Sequence, residues 1–419
     1  MRGTPRSNRL HIALVGRRNA GKSSLLNALT GQTSAIVSSV PGTTTDPVYK
    51  AMELPPLGPV TFVDTAGLDD QGELGGQRVS RSWRAALAAQ VVILVVDGRV
   101  GAGQWEHELC RQLAAEGRAL VVAWNKCDLP SAAAGMPNLP GAPPVVKVSA
   151  LSGQGRDELL QALIRTAPGD WQGPPIVADL LSPGDTVLLV MPQDIQAPRG
   201  RLILPQVQTL REILDAGAIA CMVKEEGLAR ALGDLKRPPE LVITDSQVFP
   251  AVAEIVPTAV PLTSFSVLFA RHRGDIAQLV EGAAAVDQLR PGDRVLVAEA
   301  CTHHPVGDDI GRVKIPRLLA SYLGWSPELA WCVGSDFPED LADLRLVIHC
   351  GSCMLSREEM LRRLKQLRSA GIPAVNYGIL IAKLTGILDR ALAPIPEAAE
   401  AAQRIGVRES APPCRTPRP

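Results

Sequence analysis

The chain has 419 residues, 46% of them hydrophobic, with 43 basic and 43 acidic side chains and a formal net charge of zero. That length exceeds what one hydrophobic core usually organises, so two or three domains are expected. The charge balance removes the basic footprint common to nucleic-acid-binding proteins, and the longest aliphatic run, Val91 to Val96, is far too short to span a bilayer. The opening MRGTPRSNRL has no apolar segment of the secretory kind, so a cytoplasmic protein is expected, without membrane or nucleic-acid partners. Its eight cysteines are mostly scattered singly, which does not suit a disulfide framework.

Aliphatic strands alternate with helical stretches along nearly the whole chain, and that rhythm predicts α/β folding with mainly parallel sheets and crossover helices. The first unit, residues 1–170, has predicted strands at His11 to Val15, Val60 to Val63, Val91 to Val96 and Ala119 to Trp124. A Pro- and Gly-rich segment from Ala167 to Pro175 reads as a linker. A second, smaller unit over 176–270 has predicted strands at Val187 to Val190, Ile219 to Val223 and Leu241 to Thr244, with no catalytic motif among them. The third, over 271–393, begins with a helix near Asp275 and continues through strands at Arg294 to Ala298, Leu329 to Val333, Arg345 to Ile348 and Ala374 to Asn376. The Ala/Pro/Arg-rich remainder, 394–419, is expected to be a disordered tail.

The segment Gly16-Arg-Arg-Asn-Ala-Gly21-Lys22-Ser23 is a GxxxxGKS loop between a predicted strand and a predicted helix. In that context backbone N–H groups and the helix N-terminus cradle phosphates, Lys22 neutralises the β/γ charge and Ser23 reaches Mg²⁺. Gly16, Gly21, Lys22, Ser23 and Ser24 are thereby assigned to the nucleotide. Asp64-Thr-Ala-Gly67 follows a strand, so Asp64 can approach Mg²⁺ through water and Gly67 can meet the γ-phosphate. Asn125-Lys126-Cys-Asp128 ends another strand, and Asp128 can accept both hydrogen bonds from the N1 and 2-amino edge of guanine, a pairing adenine does not offer. Ser149 and Ala150 can close over the base, with Leu151 beside them. The expected nucleotide is GTP.

Together these motifs resemble the translation-factor-like GTPases of the Era and TrmE type, with Pro41-Gly-Thr-Thr-Thr-Asp46 as the first switch. The resemblance implies that Thr44 senses Mg²⁺ and the γ-phosphate, so that Lys22, Thr44, Asp64 and Gly67 carry catalysis. Position 68 is Leu where a Ras-like glutamine would orient water. In the TrmE-like branch, potassium held by an Asn of the phosphate loop supplies the missing charge. Asn19 occupies that position here, and Ser38, Val40 and Thr43 match the loop that completes the site, which implies slow, K⁺-stimulated hydrolysis. Asn19 as a purely local support of the loop is the competing reading. Asp69, Asp70 and Glu73 lie near enough to act as bases, although acidic residues in a switch are more often solvated.

Two late clusters carry soft ligands: Cys301-Thr-His303-His304 just past one strand and His349-Cys350-Gly-Ser-Cys353 just past another. Strand carboxyl ends form the crevice where open α/β sheets bind ligands, so two distant segments can meet there. Three thiolates with one open or imidazole-capped position suit either a [4Fe-4S] cluster or a Cys₃His zinc. A GTPase of this type followed by Cys-x-His…His-Cys-x-x-Cys resembles the HydF family of [FeFe]-hydrogenase maturation scaffolds over nearly the whole chain. That resemblance implies a dimerisation domain at 176–270 and a cluster-binding domain at 271–393. It further implies that Cys301, Cys350 and Cys353 bind three irons of a [4Fe-4S] cluster, leaving an exchangeable fourth iron for which His303 is a candidate ligand and His349 a weaker one. A homodimer is implied, with radical-SAM hydrogenase maturases and apo-[FeFe]-hydrogenase as partners receiving or supplying a precursor of the binuclear iron subcluster.

Two rival readings compete with this one. The first is an RNA-associated GTPase with a structural zinc, opposed by the neutral charge and the lack of an RNA-binding motif after residue 170. The second is a metal-delivery module with a vestigial GTPase, opposed by the intact guanine and Mg²⁺ residues. Cys110, Cys127, Cys221 and Cys332 sit singly in apolar surroundings and read as small buried hydrophobes. Cys414 falls in the tail, and His11, His107 and His272 have no partner pattern.

Overall fold

The computed structural model describes residues 6–31, 48–65, 73–129, 138–169, 171–192, 202–300, 309–334, 337–338, 340–352 and 354–406. Thr43, Thr44, Gly67, Cys301, His303 and Cys353 lie outside the described residues, as do Ser38, Val40, Leu68, Asp69, Asp70, His304 and Cys414. The chain divides into two compact units, 1–172 and 173–419.

The first unit is built on β1 (Leu10–Val15), β2 (Val48–Leu54), β3 (Gly58–Asp64), β4 (Val91–Asp97), β5 (Ala119–Asn125) and β6 (Val145–Lys147), in the sheet order β2-β3-β1-β4-β5-β6. Every neighbouring pair is parallel except β2 with β3. All six residues of β1 are buried, as are the first six of β4, because crossover helices cover both faces of a parallel sheet. That double burial is why these strands read as unbroken aliphatic runs. Edge strand β2 alternates exposed and buried positions, and the sequence reading missed it.

The second unit holds two further four-stranded parallel sheets. One contains β7 (Thr186–Val190), β8 (Ile219–Val223), β9 (Leu241–Thr244) and β10 (Leu262–Ser264), ordered β10-β9-β7-β8. The other contains β11 (Arg294–Glu299), β12 (Glu328–Val333), β13 (Leu344–His349) and β14 (Ala374–Asn376), ordered β12-β11-β13-β14. Both sheets place their first strand between their second and third, so each has a switch point beside that first strand. One continuous hydrophobic core serves both: Val187, Leu188, Phe265, Phe269, Leu279, Val297 and Val347 belong to the same buried cluster. The change of unit expected near residue 270 therefore separates two sheets within one core.

The tail expectation is corrected for its first part. Residues Pro396–Arg404 form a helix, and Ala398, Ala401 and Ala402, at helical spacing, bury against the helix Ile276–Ala284. Glu397 joins Asp179 in pairing with Arg271, which anchors the helix. Small side chains permit close helix packing with little apolar surface, so composition alone suggested a solvated segment. Among the described residues no helix is long and apolar enough to cross a membrane.

Candidate functional site

The phosphate loop runs from β1 into the helix Lys22–Thr30, and its backbone is shaped by positions that exclude ordinary side chains. Gly16 has φ +151, and a Cβ there would lie 2.4 Å from the Val95 carbonyl oxygen. Gly21 has φ +95, and a Cβ there would lie 2.3 Å from Asn125 Nδ2. Asn19 is left-handed at φ 62, a conformation that Asn tolerates better than most residues. Its backbone thus gives this position a reason to be Asn that involves no ion. Lys22, nearly buried, donates from Nζ to the carbonyls of Gly16 and Arg17, both at 2.9 Å, and so sits beneath the loop. Arg17 pairs with buried Glu106 at 2.6 Å and stacks over Trp105.

Ser23 Oγ donates to Asp64 Oδ2 at 2.5 Å. Burial pushes the Asp64 carboxyl pKa up, against the opposing effects of the Ser23 hydrogen bond, Lys22 and Lys50. Its Oδ1 is buried with no hydrogen-bond partner among the described residues. An orphaned carboxylate oxygen beside a serine hydroxyl fits a hydrated Mg²⁺, whose waters would give Oδ1 the hydrogen-bond partner it lacks among the described residues.

The guanine-reading segment is fastened to the phosphate loop. Buried Asn125 donates from Nδ2 to the Ala20 carbonyl at 2.9 Å, and its Oδ1 accepts from Ala150 N–H at 3.1 Å, which ties three motifs through one amide. Lys126 donates to the Asn19 carbonyl at 2.7 Å and to Asp97 Oδ2 at 2.6 Å. Burial alone would raise the Asp97 carboxyl, but hydrogen bonds from Arg99 and Lys126 outweigh it and hold the group well below the usual carboxylate range. The sequence reading missed Asp97, whose signal was an acidic residue at the carboxyl end of a buried strand. Asp128 is exposed, as a group that reads an incoming base must be. Ser149 Oγ accepts from Ser152 N–H at 3.1 Å and shapes the loop after β6. Ser24 lies one residue further into the helix, partly buried.

The cysteine crevice lies at the switch point of the third sheet. Strands β11 and β13 are paired in parallel with Ala298 opposite His349, so Ala300 and Cys350 leave adjacent strand ends. Cys350 N–H donates to the Ala298 carbonyl at 2.9 Å, and Ala300 N–H donates to Cys350 Sγ at 3.0 Å. Ala300 immediately precedes Cys301. A backbone N–H directed at sulfur favours thiolate, which is the donor chemistry an iron-sulfur cluster or zinc requires. Ser352, within the Cys-x-x-Cys turn, is left-handed at φ 54. His349 is fully buried, and burial, aided by the nearby Arg363 guanidinium, pushes its pKa down to about 3. A small cavity beside the turn is lined by Phe269, Arg273, Leu279, Cys350, Ser352 and Met360.

Comparisons with known proteins follow the same division. A family model described as the hydrogen maturase F dimerization domain matches residues 176–274, and one described as the hydrogen maturase F tetramerization domain matches residues 277–394. A 50S ribosome-binding GTPase model matches residues 11–126. The tRNA modification GTPase MnmE of Synechococcus sp. (strain CC9902) is 40% identical over 177 residues, covering 41% of this chain and 37% of that protein. The MnmE of Moorella thermoacetica is 40% identical over 158 residues, covering 36% of this chain and 33% of that protein. The chain thus spans about a third of the length of the curated relatives it matches. Among solved structures, Aquifex aeolicus Era bound to GDP and AlF4⁻ shares 21% identity over 59% of this chain and 97% of that chain, with a TM-score of 0.34.

Proposed function

The chain belongs to the hydrogen maturase F family, and from that premise we propose that this hydrogenase-maturation GTPase carries a [4Fe-4S] cluster on Cys301, Cys350 and Cys353. On this reading the cluster site also holds a precursor of the binuclear iron subcluster, which is handed to apo-[FeFe]-hydrogenase. The observation that carries the proposal is the 3.0 Å approach of Ala300 N–H to Cys350 Sγ at the switch point of the third sheet. It sets the residue before Cys301 against the first thiol of the Cys-x-x-Cys pair, so two segments distant in sequence leave adjacent strand ends together.

GTP would sit on the loop from Gly16 to Ser24, with Lys22 beneath its β/γ-phosphates, Ser23 and Asp64 toward Mg²⁺, and Asp128 on guanine. Thr43, Thr44 and Gly67 complete the switch contacts on this reading, with His303 as a candidate ligand to the exchangeable iron. A bound cluster supplies an iron with a replaceable ligand, the chemistry a carrier needs. The chain's own residues would supply the thiolates and the backbone donor to one of them.

A homodimer through the second sheet is consistent with edge strand β8, where Ile219 and Met222 are each about half exposed and Leu214 lies exposed nearby. An unpartnered apolar edge of this kind favours pairing with another strand. Radical-SAM maturases are the proposed source of the precursor.

The test is anaerobic reconstitution of the full chain with iron and sulfide, read by iron and zinc analysis and by EPR after reduction. About four irons per chain with a reduced [4Fe-4S] signal is expected, and Cys350→Ala should abolish the signal. Stoichiometric zinc that iron does not displace, with no cluster signal, would overturn the reading.

A further inference from the structure

Arg363, on the helix Arg357–Ser369, is 0% exposed, in a segment whose sequence, REEMLRRLKQLRS, reads as a solvated polar face. A buried guanidinium is tolerated only when its N–H groups are satisfied. Its Nε donates to Glu359 Oε1 at 2.9 Å, its Nη2 to the Gly334 carbonyl at 2.7 Å, and its Nη1 meets His349 Nε2 at 3.2 Å. The guanidinium face lies 4.9 Å from the Phe337 ring centroid, and that ring stacks on His349. One side chain therefore holds the end of β12, the end of β13 and its own helix at fixed separation.

The chemistry of these partners fixes a proton. Arginine can only donate, so His349 Nε2 is the acceptor and the ring hydrogen of the neutral imidazole is on Nδ1. From there Nδ1–H points into the cysteine turn, 3.1 Å from Ser352 Oγ and 3.2 Å from the Cys350 carbonyl. The Ser352 hydroxyl can accept from that N–H and pass its own hydrogen to the Cys350 carbonyl or to Met360 Sδ, each at 3.2 Å. The left-handed residue of the turn is thus braced by a chain that starts at Arg363. With Nε2 accepting and Nδ1 protonated, His349 has no lone pair left for a metal.

We propose that Arg363 is a positioning residue for the Cys350 turn, acting through His349, and that His349 serves the thiolate site as a hydrogen-bond donor and not as a ligand. The inference rests on the cluster reading for one of its two readouts only. The first readout is the tautomer of His349 in the metal-free full chain labelled with ¹⁵N-histidine, assigned by the resonance lost in His349→Gln. Wild type should show Nδ1–H, and Arg363→Met should shift the ring toward Nε2–H. The second is iron release to a chelator after reconstitution, expected to be roughly tenfold or more faster in Arg363→Met, and faster in Ser352→Ala. Arg363→Lys, which keeps a donor but not the fork, should recover part of both effects.

An Nε2–H tautomer in wild type would overturn the proposal. So would unchanged tautomer and release in Arg363→Met, or a histidine nitrogen coupling in pulsed EPR of the reduced cluster that vanishes in His349→Gln. Should Arg363→Met fail to fold, the wild-type tautomer and Ser352→Ala decide. If wild type takes up zinc instead of a cluster, the cluster reading fails by itself, while the tautomer and the rate of zinc release still decide the role of Arg363.

Discussion

The nucleotide loop and the cysteine turn occupy equivalent places, each following a central strand beside a switch point, yet they are held in shape by opposite means. The loop from Gly16 to Gly21 is constrained by its backbone: two glycines stand where any Cβ would strike Val95 or Asn125. The Cys350 turn is constrained by side chains, through Arg363, His349 and Ser352. A backbone constraint is written in glycine positions, whereas a side-chain constraint can be carried by residues distant in sequence. The same substitution should therefore have opposite consequences at the two sites.

The largest expected effect tests that contrast directly. Gly16→Ala or Gly21→Ala forces a contact of 2.4 or 2.3 Å in a conformation that alanine adopts with difficulty. Titration with a fluorescent GTP analogue should show binding lost, and phosphate release should fall to background. Gly351→Ala, whose added methyl would meet nothing within 4 Å among the described residues, should leave iron content after reconstitution unchanged. If Gly351→Ala loses iron as completely as Gly16→Ala loses nucleotide, the two sites are not held by opposite means.

The contrast also explains what was legible in the sequence. Strands β1, β4, β5, β11 and β13 were readable because burial on both faces demands continuous aliphatic residues. The phosphate loop was readable because its constraint is met by glycines at fixed spacing within one short segment, even though the atoms they avoid, on Val95 and Asn125, are distant in sequence. Strand β2 was not, since its buried positions include Lys50, whose ammonium reaches Asn27 Oδ1 at 2.5 Å. The helix Pro396–Arg404 was not, because alanines bury closely without announcing a core. Arg363 was least legible of all: nothing in the polarity of REEMLRR separates a solvated arginine from one whose partners, Gly334 and His349, lie 29 and 14 residues away.

Acid should separate the two units by the next largest margin. His272, in the second unit, donates from Nδ1 to the Pro174 carbonyl at 2.8 Å, and burial pushes its pKa down to about 4. In the unfolded chain the ring takes a proton near pH 6.5, but in the fold it resists until about pH 4. Between those values the unfolded state binds more protons, so stability rises with pH. The contribution is complete above about pH 6.5 and is lost toward pH 4, by up to about 1.4 kcal/mol per pH unit. Thermal unfolding at pH 7, 6 and 5 should show the second unit's transition falling, with a shallower slope in His272→Gln. Equal slopes would remove His272 from the account.

Smaller in effect is the tie between Asp97 and Lys126. Asp97→Asn removes the charge that holds the Lys126 ammonium against the Asn19 carbonyl, without changing the shape of the site. GTP affinity should weaken by about tenfold, the scale of one charge-assisted hydrogen bond, with iron binding unaffected. Isothermal titration with GTP and GDP would measure it. An affinity equal to wild type would mean that Asn125 alone fastens the guanine segment to the phosphate loop.

The smallest expected effect decides between two explanations of Asn19. Its φ of 62 favours Asn or Gly for conformational reasons alone. If the side chain also holds K⁺, hydrolysis in KCl should exceed that in NaCl by several-fold, and Asn19→Gly should keep GTP affinity while losing the difference between salts. If the residue matters only for its backbone, glycine satisfies the same φ at no steric cost, and the rates in both salts should follow wild type. Asn19→Ala adds the third arm: it removes both the amide and the left-handed preference, so its affinity should fall where that of Asn19→Gly does not. The side-chain role at this position is then read from the salt dependence and the backbone role from the affinity, which places Asn19 on one side or the other of the contrast between backbone-held and side-chain-held sites.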